Sequence, residues 1–459
     1  MAVPTASRVS TSALTLHLRK FAQAAGRPLF AVLLAIIAGA IVIMITAPGN
    51  PVDRFNQAIN AYQALFTGAF GNAQNLSFTL TTVTPLILAS ISVAIAFRAG
   101  LFNIGAAGQL AMGAMAAGII GFKLAGLPGG ILVPLMLLGS ILAGAVWGGI
   151  VGILKAWRGA HEVVTTIMLN WTAFYFTDFL IDGPFRDPHQ ATQTPALLPQ
   201  ATLPHIADFY NSTLGAFLPK IDQPAQYLVD VGLFFALLAL VVYWFIVSRT
   251  TFGYEIRVIG QNIGAARYSG IPIKRNIFAV MALAGAFSGL AGGLQLMGQF
   301  PYTLIATTFS IQTTGFDAIG VAVLGRATAI GILLASLLFG GLRQGGTGMK
   351  LNAGVPGDLV FIIQALVLFS IASEFLPVIQ RSLPRNLSLN LLRRPPIVPV
   401  AADIVVTDLA DEGNINDNGT LQVSGEPETS ARNSIEVHHD TMTTPASTSE
   451  ISSNRSEKE

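Results

Sequence analysis

Asn103 and Gln109 in the run FRAGLFNIGAAGQ (97–109), and Thr165, Thr166 and Asn170 in the run HEVVTTIMLN (161–170), are uncharged polar side chains set in apolar sequence. Their amides and hydroxyls offer donors and acceptors that would replace the water lost by a neutral polar solute passing through a bilayer. Such a solute needs no fixed charge to be recognised. The same residue types also hydrogen-bond one membrane helix to another, so residue type leaves both roles open. A second stretch, TTFGYEIRVIGQNIGAARYSGIPIKR (250–275), is polar, basic and punctuated by Gly253, Gly260 and Gly270. Arg257, Arg267, Lys274, Arg275 and the preceding Arg249 outnumber its one acid, Glu255.

Several chemistries are excluded. The chain has no cysteine, which removes disulfides, thiolate metal sites and cysteine nucleophiles. It contains no G-x-x-x-x-G-K-[ST] and no Gly-Lys pair, so it cannot cradle a nucleotide in that way, and if ATP drives a process here a separate subunit binds it. Asp178, Asp230, Asp317, Asp358 and Glu374 fall near the ends of apolar runs, whereas a proton- or sodium-coupled carrier usually shows deeper, paired ionisable groups. No catalytic or metal-ligating set is expected.

The elements that must position these residues are membrane helices. Hydrophobic residues make up 52% of the chain and charged residues 11%, against roughly 25% charged in soluble domains. Apolar windows at 29–47, 78–97, 104–122, 130–154, 163–181, 227–247, 276–298, 303–325, 327–343 and 357–376 predict ten spans, some short or broken. The first follows Arg19, Lys20 and Arg27 as a signal peptide would, but its 19 uncharged residues suit a bilayer core of about 30 Å better than an h-region of about 7 to 15 residues. Threading from a cytoplasmic N-terminal segment, 1–28, places Arg98, Lys155, Arg158, the 248–275 segment, Arg326, Arg381, Arg385, Arg393 and Arg394 inside, as the Lys/Arg bias of cytoplasmic loops requires. The segments 48–77 and 182–226 then lie outside, the second a proline-rich, ordered extracellular loop.

Gly and polar residues interrupt membrane-depth sequence near 98–110 and 299–326, where irregular backbone must be buried in protein or line a cavity. Ser140, Gly144, Gly148 and Gly152, and separately Gly285, Gly289 and Gly293, recur every fourth residue. Each set forms a smooth stripe that lets helices approach closely, within one bundle or between subunits. From about Pro395 the composition turns polar: residues 395–459 carry 3 Lys+Arg and 12 Asp+Glu, against 23 and 12 before them. That tail is expected to be acidic, disordered and cytoplasmic.

The run GYEIRVIGQNIGAARYSGI resembles the coupling loop of permease subunits in bacterial ABC importers. FRAGLFNIGAAGQ and HEVVTTIMLN resemble signatures of the permeases that carry nucleosides and simple sugars, the second being closer to the purine-nucleoside branch, and GFDAIGVAVLGR (315–326) also fits. The departure is His161, where Asn is more usual. The resemblance covers about residues 25–380. It implies an all-α polytopic membrane protein with a transmembrane permease domain at 29–380. It also implies that Gly253, Arg257, Gly260, Asn262, Ala265, Ala266 and Gly270 face an ATPase that uses ATP and Mg, with two short helical pieces, Tyr254–Ile259 and Ile263–Tyr268, between turns at the glycines. The partners it implies are that ABC ATPase, a second permease subunit and an extracellular substrate-binding lipoprotein of the basic-membrane-protein type, with no nucleic acid and no cofactor bound by this chain. Asn103, Gln109, Thr165, Thr166 and Asn170 become the substrate path, for a nucleoside or alternatively a sugar such as ribose or galactose. An ion-coupled secondary carrier is the rival of another class.

Overall fold

The computed structural model describes residues 30–372 apart from 31, 214, 216–218 and 307–313. The chain divides into two units, Met1–Arg393 and Arg394–Glu459. The expected N-terminal segment 1–28, the basic residues from Arg381 to Arg394 and the acidic tail 395–459 lie outside the described residues.

Among the described residues the regular structure is helical, with isolated bridges at Gln193–Ile305 and His205–Asp230 and no strand. In order the helices are α1 (Val32–Thr46), α2 (Pro51–Phe70), α3 (Ala73–Arg98), α4 (Ala106–Lys123), α5 (Gly129–Arg158), α6 (Glu162–Asp182) and α7 (Ile206–Thr213). They continue as α8 (Gly232–Arg249), α9 (Thr251–Gln261), α10 (Ile263–Tyr268), α11 (Ile273–Gly298), α12 (Thr314–Leu324), α13 (Ala329–Ala353) and α14 (Leu359–Ala372). Five of these, α3, α5, α8, α11 and α13, are long and apolar enough to cross a membrane, and α1, α12 and α14 are shorter apolar helices. Each of the ten expected windows contains a helix, and the protein is an all-α polytopic membrane protein.

The segment 48–77 holds a helix that none of the apolar windows covers: α2 fills most of it, started by Pro51 at its first turn and a capping box in which Asn50 and Asp53 satisfy each other's backbone N–H groups. Its small face, Ala58, Ala61, Ala64 and Gly68, is buried, and at Gly68 it meets α13 so closely that an added Cβ would stand 2.9 Å from Gly348 Cα. Within the window 303–325 the described helix is Thr314–Leu324. Before it, Leu304 O accepts from Thr194 N of the long loop at 2.9 Å, Leu304 N donates to Thr194 Oγ1 at 3.1 Å, and Tyr302 O accepts from Leu197 N at 3.0 Å. The described part of that loop lies across the end of α11, where Leu203 N donates to Met297 O at 2.9 Å.

The centre of the bundle is α3 and α11, whose most apolar stretches are 78% and 67% buried, against 22% for α5 and 33% for α8. The outer two turn Leu138, Leu142 and Val146, and Phe234, Leu238 and Val241, outward, as lipid-facing helices do. The two small-residue stripes meet each other. A Cβ on Gly144 would stand 2.7 Å from Gly289 Cα, and one on Gly148 would stand 3.0 Å from Gly285 Cα. The stripes are therefore a seam between α5 and α11 inside one chain, and the backbones touch because neither carries a side chain there.

Candidate functional site

Asn103, Gln109 and Asn170 come together around the break between α3 and α4. A helix leaves its first N–H groups without partners, and at membrane depth water cannot supply them. Here side chains do. Asn103 Oδ1 accepts from Gly105 N at 3.1 Å, and Asn170 Oδ1 accepts from Gly108 N at 2.8 Å while its Nδ2 donates to Ile104 O at 2.9 Å. Asn103 Nδ2 also donates to Ser92 Oγ at 3.1 Å and Gln109 Oε1 at 3.0 Å, and Gln109 Nε2 donates back to Asn103 Oδ1 at 3.2 Å. Asn103 and Gln109 are 0% exposed and Asn170 is 2% exposed. Thr166 is buried beside them and donates to Glu162 O at 2.8 Å within α6, whereas Thr165 is half-buried and donates to His161 O at 3.0 Å. Of the nearby aromatics, Trp171, Tyr175 and Phe176 point outward, and Phe174 packs inward.

A different polar group lines open space. Thr82 and Pro85 of α3, Gln295 of α11, Gln299, Thr314 at the start of α12 and Arg343 of α13 surround a cavity of about 110 Å³. Pro85 orders one wall of it. A proline inside a helix has no N–H for the carbonyl four residues earlier, here Thr81, and Gln299 Nε2 supplies the missing donor at 3.0 Å. The Arg343 guanidinium donates from Nη1 to Thr314 Oγ1 at 3.2 Å. A larger crevice of about 350 Å³, bounded by the end of α1 and the start of α14, is lined by Ile43, Pro48, Val355, Leu359 and Ile362 together with Thr46, Gln57 and Asp358.

The segment 250–275 forms a short projecting pair of helices. Thr250 Oγ1 caps α9 by accepting from Gly253 N at 3.0 Å, and Asn262 Oδ1 caps α10 by accepting from Ala265 N at 3.1 Å. α10 matches the expected piece Ile263–Tyr268. α9, however, runs through Gly253 and Gly260, so the turns expected there are absent. Those glycines serve close approach instead: a Cβ on Gly253 would meet Val247 O at 2.6 Å, and one on Gly260 would meet Gly100 N at 2.9 Å. Gly270 is the turn residue expected, with φ of +71°.

Gly253 and Ala266 are buried against this chain, and Arg257 is half-buried with Nε donating to Gly253 O at 3.1 Å; Gly260, Asn262, Ala265 and Gly270 are exposed. The projection also displays Tyr254, Ile263 and Tyr268, the last 97% exposed. These three were not singled out from sequence, although apolar and aromatic residues at the tip of a basic loop are a usable signal. Arg343 was missed as well. An arginine inside the Gly-rich apolar run FGGLRQGGTG is the signal that would have found it.

The projection is joined to the helices that line the cavity. Asn276 of α11, buried, donates from Nδ2 to Glu255 Oε2 of α9 at 2.7 Å, and Gly260 rests on the Arg98–Gly100 turn that ends α3. Arg98 in turn donates to Ala327 O, at 3.1 Å from Nε and 2.6 Å from Nη2, and Tyr243 Oη donates to the same carbonyl at 2.7 Å, fixing the α12–α13 turn. Thr82 lies 16 residues before Arg98 and Gln295 lies 19 residues after Asn276, roughly 24 Å and 29 Å along the two helices at 1.5 Å per residue. The cavity and the projection therefore occupy opposite ends of α3 and α11.

A family model described as the permease component of the branched-chain amino acid transport system matches residues 75–372. Similar proteins include a guanosine ABC transporter permease protein of Bacillus subtilis, 37% identical over 348 residues that cover 76% of this chain and 93% of the relative. A nucleoside ABC transporter permease protein of Lactococcus lactis is 35% identical over 367 residues, covering 78% and 93%. A glucose ABC transporter permease protein of Haloferax volcanii is 35% identical over 352 residues, covering 76% and 88%. No solved structure matches.

Proposed function

The chain belongs to the family of branched-chain amino acid transport system permease components, and we propose that it is the membrane permease subunit of an ATP-driven importer of nucleosides. A permease of this kind catalyses no covalent chemistry and works with a separate ATPase and a substrate-binding partner. The observation that carries the nucleoside reading is the similarity, over nearly their whole length, to permeases for guanosine and for nucleosides. A sugar is the second reading, favoured by the glucose permease relative.

In this proposal the chain sits in the cytoplasmic membrane with both termini and the α9–α10 projection on the cytoplasmic side, so that the cavity and the long loop face outward. The ATPase, using ATP and Mg, docks on Gly260, Asn262, Ala265 and Gly270 together with Tyr268. Gly253, Arg257 and Ala266 hold the shape of the projection from beneath. ATP binding and hydrolysis bias the permease between outward- and inward-facing states, acting on α11 through Glu255 and Asn276. The path runs between this chain and a second permease subunit, and a lipoprotein of the basic-membrane-protein type delivers solute. Asn103, Gln109, Thr166 and Asn170, with half-buried Thr165, lie behind the surface of that path and shape it by holding the broken backbone between α3 and α4.

Two experiments test the proposal. Uptake of labelled guanosine is measured in cells lacking this chain and in cells with it restored, with adenosine, ribose and galactose as competitors. Restoration of guanosine uptake that nucleosides compete is expected, and competition by the sugars alone sinks the nucleoside reading. For docking, Ala265→Glu combined with Tyr268→Asp is expected to release the ATPase from membranes and to cut uptake at least about tenfold, since a charge forced into a packed interface costs several kcal/mol. Unchanged uptake that still depends on the ATPase would show the docking face to be elsewhere.

A further inference from the structure

We infer that the cavity between α3, α11 and α13 is a solute-contact site, and that Arg343 reads two adjacent hydrogen-bond acceptors on an uncharged solute. The inference rests on the nucleoside reading above and extends it to a residue and a chemical preference.

Arg343 is the observation that demands an explanation. A guanidinium is costly at membrane depth and is normally paired or functional. Neither of the ion pairs Lys155–Glu162 and His205–Asp208 involves Arg343. It stands in the interior of α13, 10 residues before its end, and lines the cavity. Its recorded partner is the neutral hydroxyl of Thr314 at 3.2 Å. A guanidinium carries five donors in a rigid planar fork and no acceptor, so donors remain beyond the one given to Thr314, and a solute in the cavity can take them.

The cavity's other walls suit the same task. Thr82 Oγ1 donates to Phe78 O at 3.2 Å within its own helix, which leaves its oxygen able to accept, and the Gln299 amide is fixed by Thr81 O at 3.0 Å. A volume of about 110 Å³ holds about four waters at ~30 Å³ each. That is room for one edge of a nucleoside rather than the whole, which fits a path shared with a second subunit.

The fork selects among edges. Guanine and hypoxanthine carry O6 and N7 side by side, the acceptor pair that arginine takes bidentately in nucleic acids, whereas adenine places the N6 amino donor beside N7. The site should therefore favour 6-oxopurine nucleosides over adenosine.

The test uses the complete transporter in membrane vesicles with ATP, comparing wild type with Arg343→Met, Arg343→Lys and Thr314→Val. KM and kcat for guanosine and adenosine uptake are read together with ATPase activity and subunit assembly. Arg343→Met is expected to raise the guanosine KM about tenfold or more, in line with the loss of one bidentate pair, and the adenosine KM less than about threefold. Arg343→Lys, which keeps the charge without the fork, should resemble it, and Thr314→Val should shift guanosine in the same direction by about two- to threefold, as loss of one neutral hydrogen bond would. A guanosine KM unchanged in both Arg343 variants overturns the inference, as does an equal rise for both nucleosides. Failure of all three variants to assemble also overturns it, because the side chain would then be structural. Wild-type vesicles that import ribose and no nucleoside refute the underlying reading; wild-type vesicles that import guanosine beside indifferent variants refute the cavity assignment alone.

Discussion

Helix α3 carries two polar clusters of opposite kind. Near its C-terminal end Ser92 meets Asn103 and Gln109, whose donors and acceptors are engaged within the chain, and Asn170 completes the group by capping α4. Ten residues earlier, Thr82 and Pro85 border a cavity in which an arginine has only a hydroxyl partner among the described residues. The first cluster replaces water for the protein's own backbone; the second retains capacity for something else. An amide at membrane depth thus reveals its role through its partners, because the same side chain can close a helix end or meet a solute.

The largest expected effect comes from breaking the engaged cluster. Asn170→Leu would leave Gly108 N–H and Ile104 C=O buried without partners, at about 1–3 kcal/mol each. Most of the folded transporter should be lost, read as a lowered thermal midpoint and yield in detergent. Thr82→Val is the contrast: the hydroxyl's bond is local to its own helix, so stability should move by no more than about 0.5 kcal/mol while uptake kinetics change. If the two substitutions destabilise alike, the distinction between the clusters fails.

The next effect concerns transmission between the two ends of the molecule. Asn276→Leu removes the tie between α11 and Glu255 and leaves a carboxylate facing apolar surface, a loss of about 1.5–3 kcal/mol for a bond to a charged group. Uptake per ATP hydrolysed should fall about tenfold while the ATPase stays bound to membranes. Glu255→Gln keeps an acceptor at the same place and should cost less than about threefold. Normal uptake with Asn276→Leu would show that force does not travel through this contact.

Much of this was legible in sequence. Apolar windows located the helices because lipid demands continuous helical backbone, and the Gly stripes on α5 and α11 declared a close contact because small residues every fourth position align on one face. What stayed hidden was three-dimensional. α2 is built on small residues and a capping box rather than on hydropathy, so a search for apolar runs passed over it. Gly253 and Gly260 looked like turns because glycine serves both turns and close approach, and only the nearness of Val247 and Gly100 decides between them. The polar residues in HEVVTTIMLN and FRAGLFNIGAAGQ were recognisable as a set, but their mutual hydrogen bonds were not. Arg343 entered as one more residue at the edge of an apolar window, since its cavity is assembled from four separate helices and a connecting segment.

The smallest effect sharpens the comparison at the loop end of α11. Asp230, just before α8, is 3% exposed and accepts from Gly232 N at 2.6 Å, beside Gly298 and within the electrostatic reach of Tyr302. Burial pushes its carboxyl up to about 6 from 3.8. The folded protein therefore holds this proton more tightly than the unfolded chain does. The stabilisation from protonation is fully present below about pH 3.8 and is lost as pH rises through about 6. Asp230→Asn keeps an acceptor for Gly232 and has no charge to desolvate. Its thermal midpoint should exceed that of the wild type by about 2–4 °C at pH 8, with the gap narrowing toward pH 4. A gap of the same size at both pH values would mean that the carboxylate is solvated in the folded protein, and the buried acid would join the engaged cluster as a polar group fully answered by its surroundings.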